Sequence, residues 1–232
     1  MKTLFLSSNS EIEASVRYRV YQFLGDYHRA GHESFISHFF DPFGGRVRRV
    51  LKGLLRRSLD LLRARSVDRI FIHREAMPLS LNDYIHLLPR SKEVIFDFDD
   101  SVFLSWTDGN ASSWWRERIR RPQSTRLLVQ RSSVTYAGND FLADYASKFS
   151  SNVRVVPTVV DTERFKPGLR QRVGPPVVGW VGSPSTSHYL DGIMSCLDDV
   201  AREVPFELLL VGAGREFHLA VRSCTKSADD PV

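Results

Sequence analysis

Three carboxylates close an apolar run in Val94–Phe103, VIFDFDDSVF: Asp97, Asp99 and Asp100. Carboxylates at the end of a buried strand can attack a phosphoryl group, hold the hydroxyls of a sugar, or simply solvate a loop. Other groups with useful chemistry also stand near strand ends. His73, Arg74 and Glu75 close RIFIH, Arg17 and Arg19 follow a polar loop early in the chain, and Gly138 and Asn139 follow SVTYA. Arg74 suits an ion pair with one of the aspartates or a phosphate. Further along, Gly182-Ser183-Pro184-Ser185-Thr186 separates an apolar run from a periodic segment. The backbone N–H groups and hydroxyls of such a turn suit a phosphate, and the same serines would serve an ordinary helix cap.

The elements that must position these groups alternate regularly. Short apolar runs at Lys2–Ser7, Glu33–Phe40, Arg69–His73, Glu93–Phe98, Ser133–Ala137 and Val153–Pro157 read as strands. Between them lie helical patterns at Ala14–Ala30, Val47–Leu62, Leu79–Leu88 and Asp140–Phe149, with part of Asn110–Arg131 also helical. Strands spaced by helices predict an α/β fold with a parallel sheet covered on both faces. A first Rossmann-like domain is expected over residues 1–158. A Pro- and Gly-containing linker follows over 159–176, and a second unit begins at 177. That unit reads as strand Val177–Val181, helix Ser187–Val204 and strand Phe206–Val211. No element is expected after Gly212, so the second domain reads as partial over 177–232, with Phe206–Val211 left as an unpaired edge.

The chain has 232 residues, a net charge of +5 and two cysteines. Two cysteines make no disulfide framework and suit a reducing cytoplasm. The basic excess is concentrated in RVRRVLKGLLRRSLDLLRAR at Arg46–Arg65, whose only acidic residue is Asp60. The amphipathic helix Val47–Leu62 within it suits peripheral contact with the inner membrane face. As a plain crossover helix it would instead carry a solvated arginine face. Trp106, Trp114 and Trp115, with Arg116, Arg118, Arg120 and Arg121, form a second basic and aromatic segment suited to an acceptor or lipid. No nucleic-acid-binding motif is present.

Taken alone, Asp97, Asp99 and Ser101 resemble the first motif of haloacid-dehalogenase-type phosphatases. There a nucleophile and a general acid stand two residues apart, and a later acidic pair holds Mg²⁺. The obvious pair, Asp198-Asp199, lies inside a helical pattern rather than at a strand end. A wider resemblance covers nearly all of residues 1–215. The segments SVRYRVYQF (Ser15–Phe23), IFIHREAMPL (Ile70–Leu79), IFDFDDSVF (Ile95–Phe103), YAGNDFLADYASKF (Tyr136–Phe149), VVPTVVDTERFKP (Val155–Pro167) and VGWVGSPSTSHYL (Val178–Leu190), in that order, resemble family 4 glycosyltransferases of the GT-B fold.

That resemblance implies transfer of a sugar from a nucleotide-sugar donor to a hydroxyl acceptor, with retention and without a catalytic metal or other cofactor. It implies a glycan or lipid-linked acceptor on the first domain. There Asp97, Asp99 and Asp100 are candidate catalytic groups, and Arg17, Arg19, Arg74, Glu75 and Asn139 are candidate acceptor contacts. It assigns the donor diphosphate to Gly182, Ser183, Ser185 and Thr186. Many relatives add an Arg and a Lys near that loop and two glutamates seven residues apart beyond it. Gly182–Leu190 holds no Arg or Lys, and no segment for the glutamate pair follows. The expectation is therefore a truncated donor unit with weak or no activity, the alternative being a non-catalytic acceptor-binding module.

Overall fold

The computed structural model describes residues 1–40, 45–78, 81–104, 123–168, 174–184, 186–214 and 225–227. It divides into two compact units, Met1–Lys166 and Pro167–Val232. Residues 159–166, expected in a linker, cluster with the first unit.

The first unit is built on six parallel strands: β1 (Lys2–Ser7), β2 (Glu33–His38), β3 (Arg69–His73), β4 (Glu93–Phe98), β5 (Val134–Ala137) and β6 (Val153–Val155). Their order is β2-β1-β3-β4-β5-β6, so the winding direction reverses between β1 and β3. Alternation along β4 sorts its side chains onto two faces. Val94, Phe96 and Phe98 join Leu4, Leu6, Ile70 and Ile72 in the core. Helices α3 (Arg46–Arg63), α4 (Gln123–Arg131) and α5 (Asp140–Ser147) accompany this sheet, and Leu128, Val129, Leu142 and Ala146 of α4 and α5 complete the core cluster.

The opposite face carries Phe5, Phe71, Ile95 and Asp97. Helices α1 (Ala14–Arg19) and α2 (Leu24–Arg29) lie over it, with Tyr27 packed edge-on against Phe5. An open hollow of about 220 Å³ remains there, lined by Phe5, Phe71, Ile95 and Tyr136 among others. The expected single helix over Ala14–Ala30 is thus broken. At Val20 the backbone leaves helical geometry (φ −125°, ψ −64°) and a 3₁₀ turn follows over Tyr21–Phe23. The segment expected as a helix at Leu79–Leu88 forms a 3₁₀ turn over Asn82–Leu87.

The second unit has a parallel sheet in the order β7-β8-β9, with β7 (Val177–Val181), β8 (Glu207–Val211) and β9 (Thr225–Ser227). The last strand corrects the expectation of an unpaired β8 edge, because β8 is central and pairs β9 through Leu208, Leu209 and Leu210. Helix α6 (Met194–Glu203) supplies Met194, Leu197 and Ala201 to a small core with Phe206, Leu208 and Leu210. Val181 and Leu209 stay exposed.

Candidate functional site

Strand register assembles the site. Ser7, His73, Asp97 and Tyr136 are paired neighbours across β1, β3, β4 and β5, so they form one row at the carboxyl edge of the sheet. This edge, beside the reversal of strand order, is where open α/β sheets place ligands. Helix α1 lies against the row and adds Ser15 and Arg19.

The inner tier is closed to solvent. Asp97 is 2% exposed and Arg19 8%. The Arg19 guanidinium forks onto the carboxylate, with Nε 3.1 Å from Oδ2 and Nη2 on Oδ1. Its Nη1 also donates to the Val156 carbonyl. His73 Nδ1 lies 2.7 Å from Asp97 Oδ2, and His73 Nε2 lies 2.7 Å from Ser15 Oγ. Ser15 in turn donates to Asp99 Oδ2 at 2.6 Å. A continuous hydrogen-bonded chain therefore runs Arg19–Asp97–His73–Ser15–Asp99.

The outer tier is organised by Arg74. Its Nε donates to Asp99 Oδ1 at 2.6 Å, its Nη1 to Glu13 Oε1 at 2.9 Å, and its Nη2 lies 3.7 Å from Asp100 Oδ2. Burial opposes ionisation of both partners in the Asp99–Arg74 pair, but their mutual bond and charge outweigh it. The Asp99 carboxyl is held below the usual carboxylate range, with help from Ser15 and His73. The Arg74 guanidinium is pushed up further, with help from Glu13 and Asp100. Arg74 also sits at φ +57°, a left-handed conformation uncommon outside glycine, and its N–H donates to the Asp97 carbonyl at 2.7 Å. Gly138 completes the edge. Its N–H bonds the Phe98 carbonyl, and a Cβ there would stand 2.9 Å from the Asp99 Cα.

The sequence-predicted residues separate accordingly. Asp97, Asp99, Asp100, Arg19 and Arg74 come together, with Glu75 next to Arg74 on the same strand end. Asp100 is half-exposed, and its Oδ1 accepts from the Ser101 N–H. Arg17 does not join them: it is exposed and its guanidinium caps the carbonyls of Glu11 and Ile12. Asn139 is exposed and caps α5, accepting from the Leu142 N–H at 3.0 Å. The phosphatase reading gains nothing from this geometry. It needs Asp97 as an accessible nucleophile, and both Asp97 oxygens are buried and bonded. Ser15 and Glu13 join the site without standing out in the sequence. Ser15 lies within SVRYRVYQF, but a helical serine next to a buried valine carries no signal of its own.

In the second unit the loop after β7 is bonded to itself. Thr186 Oγ1 donates to the Ser183 carbonyl and accepts from the Ser183 N–H, at 3.0 and 3.2 Å. The space beside Gly182 is filled by the Trp180 ring, 2.3 Å from where a Cβ would lie. A 3₁₀ turn over Ser187–Gly192 follows, and α6 starts only at Met194. This corrects the expected helix from Ser187, so the loop does not abut an α-helix N-terminus. Ser185 lies outside the described residues, as do the tryptophans and arginines expected between Trp106 and Arg121.

Among the described residues, no cluster of His, Cys, Asp and Glu could hold a metal ion. Nor is any helix there long and apolar enough to cross a membrane. No protein-family model matches the sequence, and no curated protein matches it. Solved structures match in fold. An α-glucosyltransferase in complex with UDP and a 13-mer DNA containing an HMU base superimposes with a TM-score of 0.58 at 12% identity, over 91% of this chain and 56% of that one. A putative UDP-N-acetylglucosamine 2-epimerase from Listeria monocytogenes gives 0.55 at 10% identity, over 90% of this chain and 61% of that one. The glycosyltransferase SnogD from Streptomyces nogalater gives 0.52 at 12% identity, over 100% of this chain and 72% of that one. The fold is thus the Rossmann-like α/β fold of GT-B glycosyltransferases. The chain spans 56% and 61% of the length of the first two structures it matches.

Proposed function

We propose that this chain takes part in glycosyl transfer from a nucleotide-sugar donor to a hydroxyl acceptor, with its first unit holding the acceptor. The observation that carries this reading is the two-tier network at the carboxyl edge of the first sheet. Carboxylates accept hydrogen bonds from sugar hydroxyls and a guanidinium donates to them or to a phosphate. Asp99, Asp100 and Glu75 then meet the acceptor hydroxyls and Arg74 a hydroxyl or phosphate. Asp97, Arg19, His73 and Ser15 are positioning residues that fix the rim from beneath. Arg17 and Asn139 contribute only at the periphery. The donor diphosphate falls to the loop of Gly182, Ser183, Ser185 and Thr186, which must release its Ser183–Thr186 bonds to receive it, and transfer proceeds with retention. The glycosyltransferase fold and the UDP held by one matched structure support this reading.

Calorimetric titration of the purified chain with UDP-, GDP- and ADP-sugars, followed by transfer assays on glycan and lipid-linked acceptors, tests it. One nucleotide sugar should bind saturably and more weakly in Ser183→Ala. Acceptor affinity should fall in Asp100→Asn with donor affinity unchanged. Glycan binding without any nucleotide-sugar binding would replace the transferase by a binding module. Absence of both would end the reading.

A further inference from the structure

Helix α3 is a crossover helix turned the other way from ordinary expectation. A helix beside a sheet normally buries its apolar stripe. In α3 the side facing the sheet is small and polar: Gly53, Arg57 and Asp60 are buried, as is Ala64 just past its end. Gly53 lets the helix close on Phe39, whose carbonyl would stand 2.6 Å from an added Cβ. Arg57 is 2% exposed and donates to Asp60 at 2.7 Å, to Ser37 Oγ at 3.0 Å and to the Ala76 carbonyl at 2.7 Å. The helix is therefore anchored by a buried ion pair, and its leucines face outward.

Val47, Leu51, Leu55, Leu59 and Leu62 are all more than half exposed, Leu55 at 63%. At 100° per residue they form one stripe along the 18-residue helix, about 27 Å long. Arg48 and Lys52 border that stripe on one side, whereas Arg63 lies 3.5 Å from Asp60 and over the Phe35 ring. The only acidic residue of α3, Asp60, is buried against the sheet. An exposed apolar stripe edged by cations and free of exposed carboxylates is the pattern of a helix lying in a bilayer interface. A water-soluble partner matches the leucines but gives no reason for the row of cations, whereas an anionic headgroup layer matches both at once.

We propose that α3 docks this protein on an anionic lipid bilayer, with its leucine stripe in the acyl boundary and Arg48 and Lys52 at the phosphate level. The sequence offered either a membrane contact or a solvated arginine face for Val47–Leu62; the outward leucines favour the first and give the contact its depth. This inference does not depend on glycosyl transfer, since vesicle binding is read without donor or acceptor.

The test is sedimentation of the full chain with phosphatidylcholine vesicles, and with phosphatidylcholine–phosphatidylglycerol vesicles. The chain should partition to the mixed vesicles and much less to phosphatidylcholine alone. Each basic residue near such a surface is worth roughly a fivefold change in partitioning, so Arg48→Gln/Lys52→Gln should lose roughly twenty-fivefold. Leu51→Glu/Leu55→Glu should abolish binding while its melting curve stays that of the parent, because both sites are exposed. No partitioning, equal partitioning to both vesicle types, or binding indifferent to the leucine variant would each overturn the proposal. So would a dimer in analytical ultracentrifugation that the leucine variant converts to monomer while vesicle binding is absent: the stripe would then cover a second copy.

Discussion

Arg17 and Arg19 stand two residues apart on one short helix, and the structure gives them opposite fates. Substituting each by methionine separates a buried electrostatic anchor from a solvated side chain. In Arg19→Met, Asp97 stays buried with one hydrogen-bonding side chain, His73, and loses both bonds of the guanidinium fork. Removing one partner of a buried ion pair costs about 3–5 kcal/mol. For a unit of this size 1 kcal/mol moves the melting temperature by about 2–4 °C, so a fall of about 6–20 °C is expected. Arg17→Met loses only exposed bonds to nearby carbonyls and should shift the melt by no more than about 1–2 °C. Circular dichroism melts of the two variants at neutral pH provide the comparison. Arg19→Met/Asp97→Leu should lose less than the sum of its single variants, because removing both charges leaves no orphan. If Arg19→Met melts within about 2 °C of the parent, the buried-anchor account is wrong.

Gly138→Ala puts a methyl against backbone rather than against a flexible side chain, 2.9 Å from the Asp99 Cα. It should cost about 1–3 kcal/mol in chemical denaturation. Asn139→Ala removes the α5 cap and should cost about 1 kcal/mol, with Asn139→Asp restoring it; an unchanged denaturation midpoint would deny the cap any weight. Stability should also fall in acid, in two windows. His38 is held below the ordinary imidazole value, chiefly by burial. The unfolded chain therefore takes up its proton first, and stability is lost as pH drops below about 6.5. Asp99 is held below the ordinary carboxylate value despite its burial, by Arg74. Its contribution is present above about pH 4 and is lost below it. Denaturation midpoints across this range should flatten in the lower window for Arg74→Met.

The sheet was legible because short continuous apolar runs bounded by turn residues report directly on burial in a parallel sheet. All eight strands expected from the sequence form in place, within a residue or so for most. What failed was whatever the pattern does not encode. Val16 and Val20 keep helical spacing across the break at Val20, so periodicity registers one helix where there are two and a turn. Thr225–Ser227 is polar and three residues long; only pairing with β8 makes it a strand. In α3 the apolar stripe was visible, but which side faces the sheet depends on Arg57, Asp60 and the close approach at Gly53. Those are tertiary facts, and a rule that leucines point inward gives the wrong side. At the site, the acidic cluster and Arg74 were readable as chemistry at strand ends. Ser15 was not, because its role rests on the position of α1 over His73.

Hydrogen accounting decides which of the site's groups are left for a ligand. Ser15 has one hydrogen and gives it to Asp99, and its oxygen also lies 2.7 Å from His73 Nε2. Both Asp97 oxygens already accept from Arg19, and Oδ2 also lies 2.7 Å from His73 Nδ1. Both Asp97 oxygens are buried within these bonds, so neither is presented to a ligand. Asp99 is less enclosed: one oxygen serves Ser15 and the other Arg74, and each keeps a second acceptor position. Capacity therefore remains at the outermost positions. Asp100 has one oxygen on a backbone N–H and the other 3.7 Å from Arg74. Asp100 can accept a hydroxyl hydrogen without breaking a buried bond, whereas drawing on Asp97 would dismantle the network beneath it. Of the three aspartates at the end of β4, the first is spent on the buried network, and the outer two are the ones a ligand could reach without dismantling it.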